Sequence, residues 1–139
     1  MAEDLRALET RLKKIRLACT NSIQDDTGAV DADVVAAQAE TIKKWMADFE
    51  NTYIYESKQN PKTANEIRAA GRRISEDAWL CYEALQNIEI DARGPPPTMV
   101  RWENLPSGVV FAEQKSDLLE KITKLSRDYH TFRRSVLLH

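Results

Sequence analysis

The sequence predicts an all-α protein, a four-helix bundle with one long central helix and a proline-rich ordered loop before the last helix. Apolar residues recur at steps of three and four in four separate segments, the spacing that places side chains on one helical face. The 139 residues, of which 42% are hydrophobic and 30% charged, fit one soluble, helix-rich domain spanning residues 1–139. The four helices are expected over roughly residues 3–24, 31–57, 61–92 and 116–137.

The first two helices show clear apolar stripes. The stripe of the first helix consists of Leu5, Leu8, Leu12, Ile15, Cys19 and Ile23. The stripe of the second helix consists of Val35, Gln38 or Ala39, Ile42, Trp45 or Met46, and Phe49. Asp31 or Asp33 is expected to cap the second helix, since either side chain accepts hydrogen bonds from free backbone N–H groups. The β-branched and aromatic run at 51–55 leaves the end of this helix open: it ends there or continues to Lys58.

The central helix carries strong signals at both ends. Asn60 and Pro61 begin it, because the asparagine side-chain oxygen caps free N–H groups and proline suits the first helical position. Residues 93–97 (RGPPP) end it, because glycine permits a left-handed cap and proline cannot continue a helix. At about 1.5 Å per residue the helix is roughly 45 Å long. Its predicted buried face consists of Ile67, Ile74, Cys81, Leu85 and Ile88.

Residues 93–111 form the irregular stretch of the chain and carry four of its five prolines. Their many apolar side chains make the stretch unsuitable as a solvated linker. We therefore expect an ordered loop that lies on the bundle or packs on a neighbouring molecule. Ser116 is the expected cap of the last helix. The apolar face of that helix consists of Leu118, Leu119, Ile122, Leu125, Tyr129, Phe132 and Val136.

Composition and motifs argue against catalysis, metal binding and membrane insertion. The formal net charge of −2 gives no global attraction to nucleic acid, so such binding requires a local basic cluster. Two histidines and two distant cysteines provide no zinc site, and four scattered glycines form no phosphate loop. We expect no enzyme, cofactor or metal, with Cys19 and Cys81 as buried reduced thiols. The absence of a long apolar run and of a signal peptide favours a soluble, intracellular protein.

Residues 60–111 contain an ordered series of short motifs. They are Asn60-Pro61-Lys62-Thr63-Ala64, Arg72-Arg73, Glu76-Asp77, Ala84-Leu85-Gln86-Asn87, Arg93-Gly94, Trp102-Glu103 and Ser107-Gly108-Val109-Val110-Phe111. In order and spacing the series resembles the long C-terminal helix and tail of the coat proteins of rod-shaped plant viruses, the tobamovirus type. This chain adds a helix after the tail, which a rearranged or circularly permuted relative would explain.

The resemblance implies a structural protein of the virion and host cytoplasm that self-assembles into helical rods or discs and encapsidates single-stranded RNA. It implies RNA contact at Arg72 and Arg73, and more loosely at Asp77 and Asn87. Arg68 joins them through its position in the first half of the same helix. Arginines on such a surface pair with phosphates, while small or amide side chains accept any base.

Two further sets of residues are expected at contacts between subunits. In the family, carboxylates meet across subunit contacts and repel one another unless they are protonated or bound to cations. The candidates in this chain are Glu50, Glu66 and Asp77. The apolar residues expected to pack against neighbouring subunits are Met99, Trp102 and Phe111, although the same residues also suit a lid over the core.

Other interpretations of these residues remain open. Arg72 and Glu76, like Arg73 and Asp77, stand four residues apart, the spacing of intrahelical salt bridges worth about 0.2–0.5 kcal/mol each. A helical bundle without an RNA role would be a monomeric or dimeric interaction module of the adaptor or co-chaperone type. The sequence therefore predicts a coat protein first and an interaction module as the alternative.

Overall fold

The computed structural model describes residues 5–21, 30–93 and 108–137, and within the last range the side chains of 112–136. These residues form four α-helices and one short 3-10 turn. The elements are α1 (Leu5–Asn21), α2 (Ala32–Gln59), the 3-10 turn (Pro61–Thr63), α3 (Ala64–Arg93) and α4 (Gly108–Leu137). The helices pack on one another as a bundle, which confirms the predicted all-α, four-helix fold class.

Helices α2 and α3 form an antiparallel hairpin with the most extensive helix packing in the described part of the chain. At one end Nη2 of Arg93 lies 3.0 Å from Oδ1 of Asp33. Towards the other end the ring of Tyr53 lies against Gly71. The start of α2 therefore faces the end of α3, as expected for two helices joined by a short connection.

Helix α4 lies antiparallel to α3, and α1 completes the bundle. Gln114, near the start of α4, donates a hydrogen bond to Asp91, near the end of α3. Further along α4, Nζ of Lys124 lies 3.4 Å from Oδ1 of Asp77 in the middle of α3. Helix α1 packs against both α2 and α4. Each helix of the bundle thus has two neighbours.

Aromatic rings from α2 and α4 fill the centre of the bundle. Trp45 stacks on Phe49 with 5.3 Å between ring centroids, and Tyr129 meets Trp45 edge-on at 5.6 Å. The polar atoms of these rings are satisfied by α1. The indole N–H of Trp45 donates to the backbone carbonyl of Leu8 at 2.8 Å, and the hydroxyl of Tyr129 donates to that of Leu5. The rings therefore fix α1 by hydrogen bonds as well as by packing.

The predicted buried stripes are confirmed throughout the described residues. The five described positions of the α1 stripe are buried, as are all five positions of the α3 stripe, while Ile23 lies outside the described residues. At the two positions of the α2 stripe for which the sequence left alternatives, Ala39 and Trp45 are the buried residues, whereas Gln38 and Met46 are half-buried. Every predicted apolar position of α4 is buried or half-buried.

The two cysteines are buried free thiols, as predicted. Burial raises the pKa of Cys19 to about 11. Burial, with a smaller contribution from the neighbouring Cys19, raises the pKa of Cys81 to about 12. Both thiols therefore stay protonated at neutral pH and pack as small apolar side chains.

The two helix starts that carry caps in the sequence behave differently. Asp31 caps α2, because its side chain accepts hydrogen bonds from the backbone N–H groups of Asp33 at 3.1 Å and Val34 at 3.3 Å. The prediction that the side chain of Asn60 caps α3 was wrong. A 3-10 turn follows Asn60, and its amide instead donates to the backbone carbonyl of Glu56 at 2.9 Å, so it closes the end of α2.

The run at 51–55 does not interrupt α2, which continues to Gln59. Thr52 is fully buried, with its hydroxyl hydrogen-bonded to the carbonyl of Asp48 at 3.0 Å, and Tyr53 packs in the core. Tertiary packing thus overrides the weak helix propensity of these residues.

Helix α4 begins at Gly108, eight residues before the predicted cap at Ser116. Residues 108–111, predicted to belong to the irregular stretch, are therefore helical, and Phe111 belongs to the first turn of α4. The rest of the predicted ordered loop, residues 94–107, lies outside the described residues. Phe111 precedes Leu118 by seven residues, so the helical spacing of apolar residues extends upstream of Ser116. The prolines just before this segment obscured that continuity.

A methyl group at position 71 would test the close approach of α2 and α3. A Cβ at Gly71 would overlap the buried ring of Tyr53. We expect Gly71→Ala to lower the free energy of unfolding by about 1–2 kcal/mol, because overpacking outweighs the ~1 kcal/mol gain in helix propensity. In a Tyr53→Ala background, where the overlapping ring is absent, Gly71→Ala should raise the free energy of unfolding. Urea denaturation of the four proteins measures both effects, and an equal loss in both backgrounds would contradict the explanation.

Candidate nucleic-acid interface

The outer face of α3 brings together two arginines and a tryptophan. Arg68, Arg72 and Trp79 stand four and seven residues apart, so at 3.6 residues per turn they lie within about 40° of one another around the helix. All three are exposed, with Trp79 45% exposed. We call these three residues the α3 outer face. It combines cationic groups with a large aromatic surface.

The arginines of this face are available to an anion. Arg68 donates a hydrogen bond to the side-chain oxygen of Asn65, a neutral group. Among the described residues no carboxylate lies within 4 Å of Arg72 or Arg73, so the alternative intrahelical pairs with Glu76 and Asp77 do not form there. An exposed guanidinium without a carboxylate partner retains its full capacity for bidentate binding of phosphate.

Trp79 is held in position although it is exposed. Its indole N–H donates to Oε1 of Glu83 at 2.8 Å, and its ring lies 5.2 Å from that of Tyr82. Nζ of Lys43 lies 5.9 Å from the Tyr82 ring on the adjoining α2 surface. Trp79 is not among the RNA-binding candidates predicted from the sequence. Its helical spacing from Arg68 and Arg72, outside the apolar stripe of the helix, could have indicated that it shares their face.

Arg73 and Asn87 do not belong to the α3 outer face. Arg73 is exposed but borders a cleft of about 190 Å³ between α3 and α4, whose floor includes Ile74 and Phe132. Asn87 is exposed but stands 15 residues after Arg72, about 22 Å along the helix axis. The structure therefore does not bring the five predicted RNA-binding residues onto one surface.

Asp77 faces the interior of the bundle. It is 5% exposed, and its carboxyl group lies against Asp128 of α4, with Nζ of Lys124 3.4 Å from Oδ1. Oδ2 of Asp77 and Oδ2 of Asp128 are both buried without a hydrogen-bond donor among the described residues. Two ionised carboxylates are both acceptors, so a proton on Asp77 would let it donate a hydrogen bond to Asp128.

The acidity of Asp77 is perturbed accordingly. The pKa of Asp77 is raised from 3.8 to about 6. Burial is the largest cause and the neighbouring Asp128 carboxyl also raises the pKa, while Lys124 lowers it. The residue predicted for RNA and subunit contacts therefore meets a second carboxylate of its own chain. It cannot contact RNA without opening the α3–α4 interface.

The remaining predicted contact residues are dispersed. Glu50 is half-buried on α2, and Glu66 is exposed in the first turn of α3, beside the α3–α4 cleft. Met99 and Trp102 lie outside the described residues. Of Phe111 the structure gives the helical backbone alone.

Comparison with known proteins adds no relative. No protein-family model, curated protein or solved structure matches the chain. None of the described helices is long and apolar enough to span a membrane. In the described ranges no three histidine, cysteine, aspartate or glutamate side chains gather as metal ligands would.

The carboxyl pair predicts a specific pH dependence of stability. Because the folded-state pKa of Asp77 is raised, the folded chain holds a proton there that the unfolded chain releases, so this residue lowers the free energy of unfolding as pH rises from about 4 to about 6. Asp77→Asn should remove that decrease. Urea denaturation between pH 4 and pH 7 measures it.

The neighbouring exposed carboxylate provides the control for this experiment. Glu76→Gln removes the same charge from the surface of α3 and should leave the wild-type decrease between pH 4 and pH 6 intact. A decrease that persists unchanged in Asp77→Asn would show that the buried pair is not its source.

Proposed function

We propose that this protein is a non-enzymatic structural subunit of the coat-protein type, which self-assembles and binds single-stranded RNA along the α3 outer face. The observation that carries the proposal is the common exposed surface of Arg68, Arg72 and Trp79. The resemblance of residues 60–111 to tobamovirus-type coat proteins supports it separately, because that resemblance assigns RNA to the same helix.

The chemistry of this face suits RNA of any sequence. Arg68 and Arg72 are separated by one helical turn, so both guanidinium groups can bind phosphates of the same strand. Trp79, two turns further on, offers a ring on which a base can stack, and every base has a face that stacks. Phosphate pairing and stacking need no hydrogen bonds to base edges, which is what packaging of a whole RNA requires.

The surface of the chain also suits self-association. The formal net charge of −2 keeps repulsion between stacked copies small. Helix α3 further exposes two large aliphatic side chains, Leu80 at 42% and Ile90 at 64%. In an assembly these side chains would be covered by a neighbouring copy.

The RNA contact is tested by one arginine substitution. We expect Arg72→Gln to weaken binding of mixed-sequence single-stranded RNA and to reduce the slope of log K against log salt by about 0.7, the value for one lost phosphate contact. Fluorescence anisotropy over a salt series measures both. Arg134→Gln removes an equal charge from an exposed position on α4 and should leave affinity and slope near wild type.

A second substitution on the same face separates stacking from charge. Trp79→Ala should weaken RNA binding by about 1–3 kcal/mol without changing the salt slope, because it removes a stacked base and no phosphate contact. Trp79→Phe should restore most of the affinity. If neither Arg72→Gln nor Trp79→Ala affects binding, the α3 outer face is not the RNA site.

Assembly is tested by electron microscopy. Negative-stain images of the purified protein at mildly acidic pH, with and without RNA, should show rods, discs or stacked rings. Sedimentation velocity on the same samples should give species far larger than the 15.9 kDa chain. A persistent monomer under all of these conditions would refute the coat-protein proposal.

A helical interaction module is the second candidate. The observation that favours it is the exposure of three large apolar side chains on one helix, Trp79, Leu80 and Ile90, which also suits the docking of a partner protein. This candidate requires a stable monomer or dimer in which Arg72→Gln and Trp79→Ala leave the affinity for RNA unchanged. The assembly and RNA experiments therefore decide between the two.

A further inference from the structure

A second cationic surface lies on the other side of the bundle, between α1 and α4. It is a groove of about 470 Å³, and its lining includes Lys13 and Arg16 of α1 and Arg127 and His130 of α4. All four side chains are exposed. We call this surface the α1–α4 groove. None of its residues belongs to the α3 outer face.

The groove carries an excess of positive charge. One carboxylate in the lining, Glu9, already has cationic partners. Arg133 forms an ion pair with it, and Nζ of Lys13 lies 3.7 Å from its Oε1. Among the described residues, neither Arg16 nor Arg127 has a carboxylate within 4 Å. In a chain of net charge −2, these two guanidinium groups facing one groove are a local concentration of cations.

The second carboxylate in the lining is Asp128. Its carboxyl group lies against Asp77 of α3, and one of its oxygens is buried. The groove presents its cations beside these two carboxylates, together with the hydroxyl groups of Thr123 and Thr131. The hydroxyl of Ser126 donates to the backbone carbonyl of Ile122 at 2.9 Å.

The cationic surface continues beyond the groove. A shallow depression of about 780 Å³ on the outer surface of α4 shares Arg127 and Thr123 with the groove and adds Lys115 and Lys124, with one carboxylate, Glu120, among its lining residues. From position 115 to position 130 the helix rises about 22 Å. A surface of this length fits a chain of linked anionic groups better than a single anion.

Among the described lining residues the groove has one exposed aromatic ring, the imidazole of His130. Tyr129 is 1% exposed, and its hydroxyl is committed to the backbone carbonyl of Leu5. The groove therefore offers nucleobases a smaller stacking surface than the α3 outer face, which has the indole of Trp79. Arginine, lysine and hydroxyl donors are suited to phosphate oxygens.

We infer that the α1–α4 groove binds the phosphates of an extended polyanion, independently of the α3 outer face. Inorganic polyphosphate and the backbone of single-stranded nucleic acid share this chemistry. Both ligands therefore compete for the groove.

The test measures binding of fluorescently labelled polyphosphate to the full-length chain at low salt. The double variant Arg16→Gln/Arg127→Gln should bind about 10-fold or more weakly, because two charge-assisted contacts are lost. The matched control, Lys14→Gln/Lys44→Gln, removes the same charge from exposed positions outside the groove and should change affinity by less than about 2-fold. Thermal unfolding checks that both variants are folded.

Competition identifies the source of the phosphates. Unlabelled poly(U) and poly(A) should both displace polyphosphate in a Trp79→Ala/Arg72→Gln background, where the α3 outer face is disabled. If unlabelled polyphosphate displaces the labelled probe and neither RNA does, the ligand is polyphosphate and the groove does not bind nucleic acid. Equal weakening in the groove variant and its control, or no binding by the wild-type chain, overturns the inference and leaves the proposed function of α3 untouched.

Discussion

The bundle depends on hydrogen bonds that two buried aromatic residues make to the backbone of α1. Trp45 and Tyr129 each bring a polar donor into the core, where an unsatisfied donor costs about 1–3 kcal/mol. Backbone carbonyls of α1 accept both hydrogen bonds. Through Phe49, whose ring lies 5.4 Å from Tyr53, the same cluster extends to the close contact with Gly71 of α3. All four helices are thus anchored to one aromatic core.

Anchoring α3 from two sides determines what its remaining surfaces can do. One side, at Gly71, approaches α2 so closely that a methyl group does not fit, and the side at Asp77 is closed against α4. The outward surface is left to carry Arg72 and Trp79. Adjacent residues in the sequence therefore lie on different surfaces: Arg72 faces outward, whereas Arg73 borders the α3–α4 cleft. A helix rotates each residue by about 100°, so a pair of neighbouring arginines cannot share one face.

The sequence predicted those features that depend on local chemistry and helical spacing. The stripes of apolar residues and the Asp31 cap follow from such spacing and from hydrogen-bonding capacity. The role of Asn60 could not be predicted in this way, because it depends on whether a 3-10 turn or an α-helix begins at Pro61. The burial of Asp77 was also beyond prediction, since an aspartate in a charged helix is ordinarily exposed, and its partner Asp128 lies on a helix 51 residues away.

Lys124 links the buried carboxyl pair to the outer cationic surface. Its ammonium group lies 3.4 Å from Asp77, yet its side chain is 57% exposed and borders the same depression as Arg127. An anion bound in that depression competes with Asp77 for one cation. If the cation moves outward, Asp77 keeps the repulsion from Asp128 without this compensation, and the pKa of Asp77 rises further. By linkage, protonation in the interior and anion binding on the surface of α4 then favour each other.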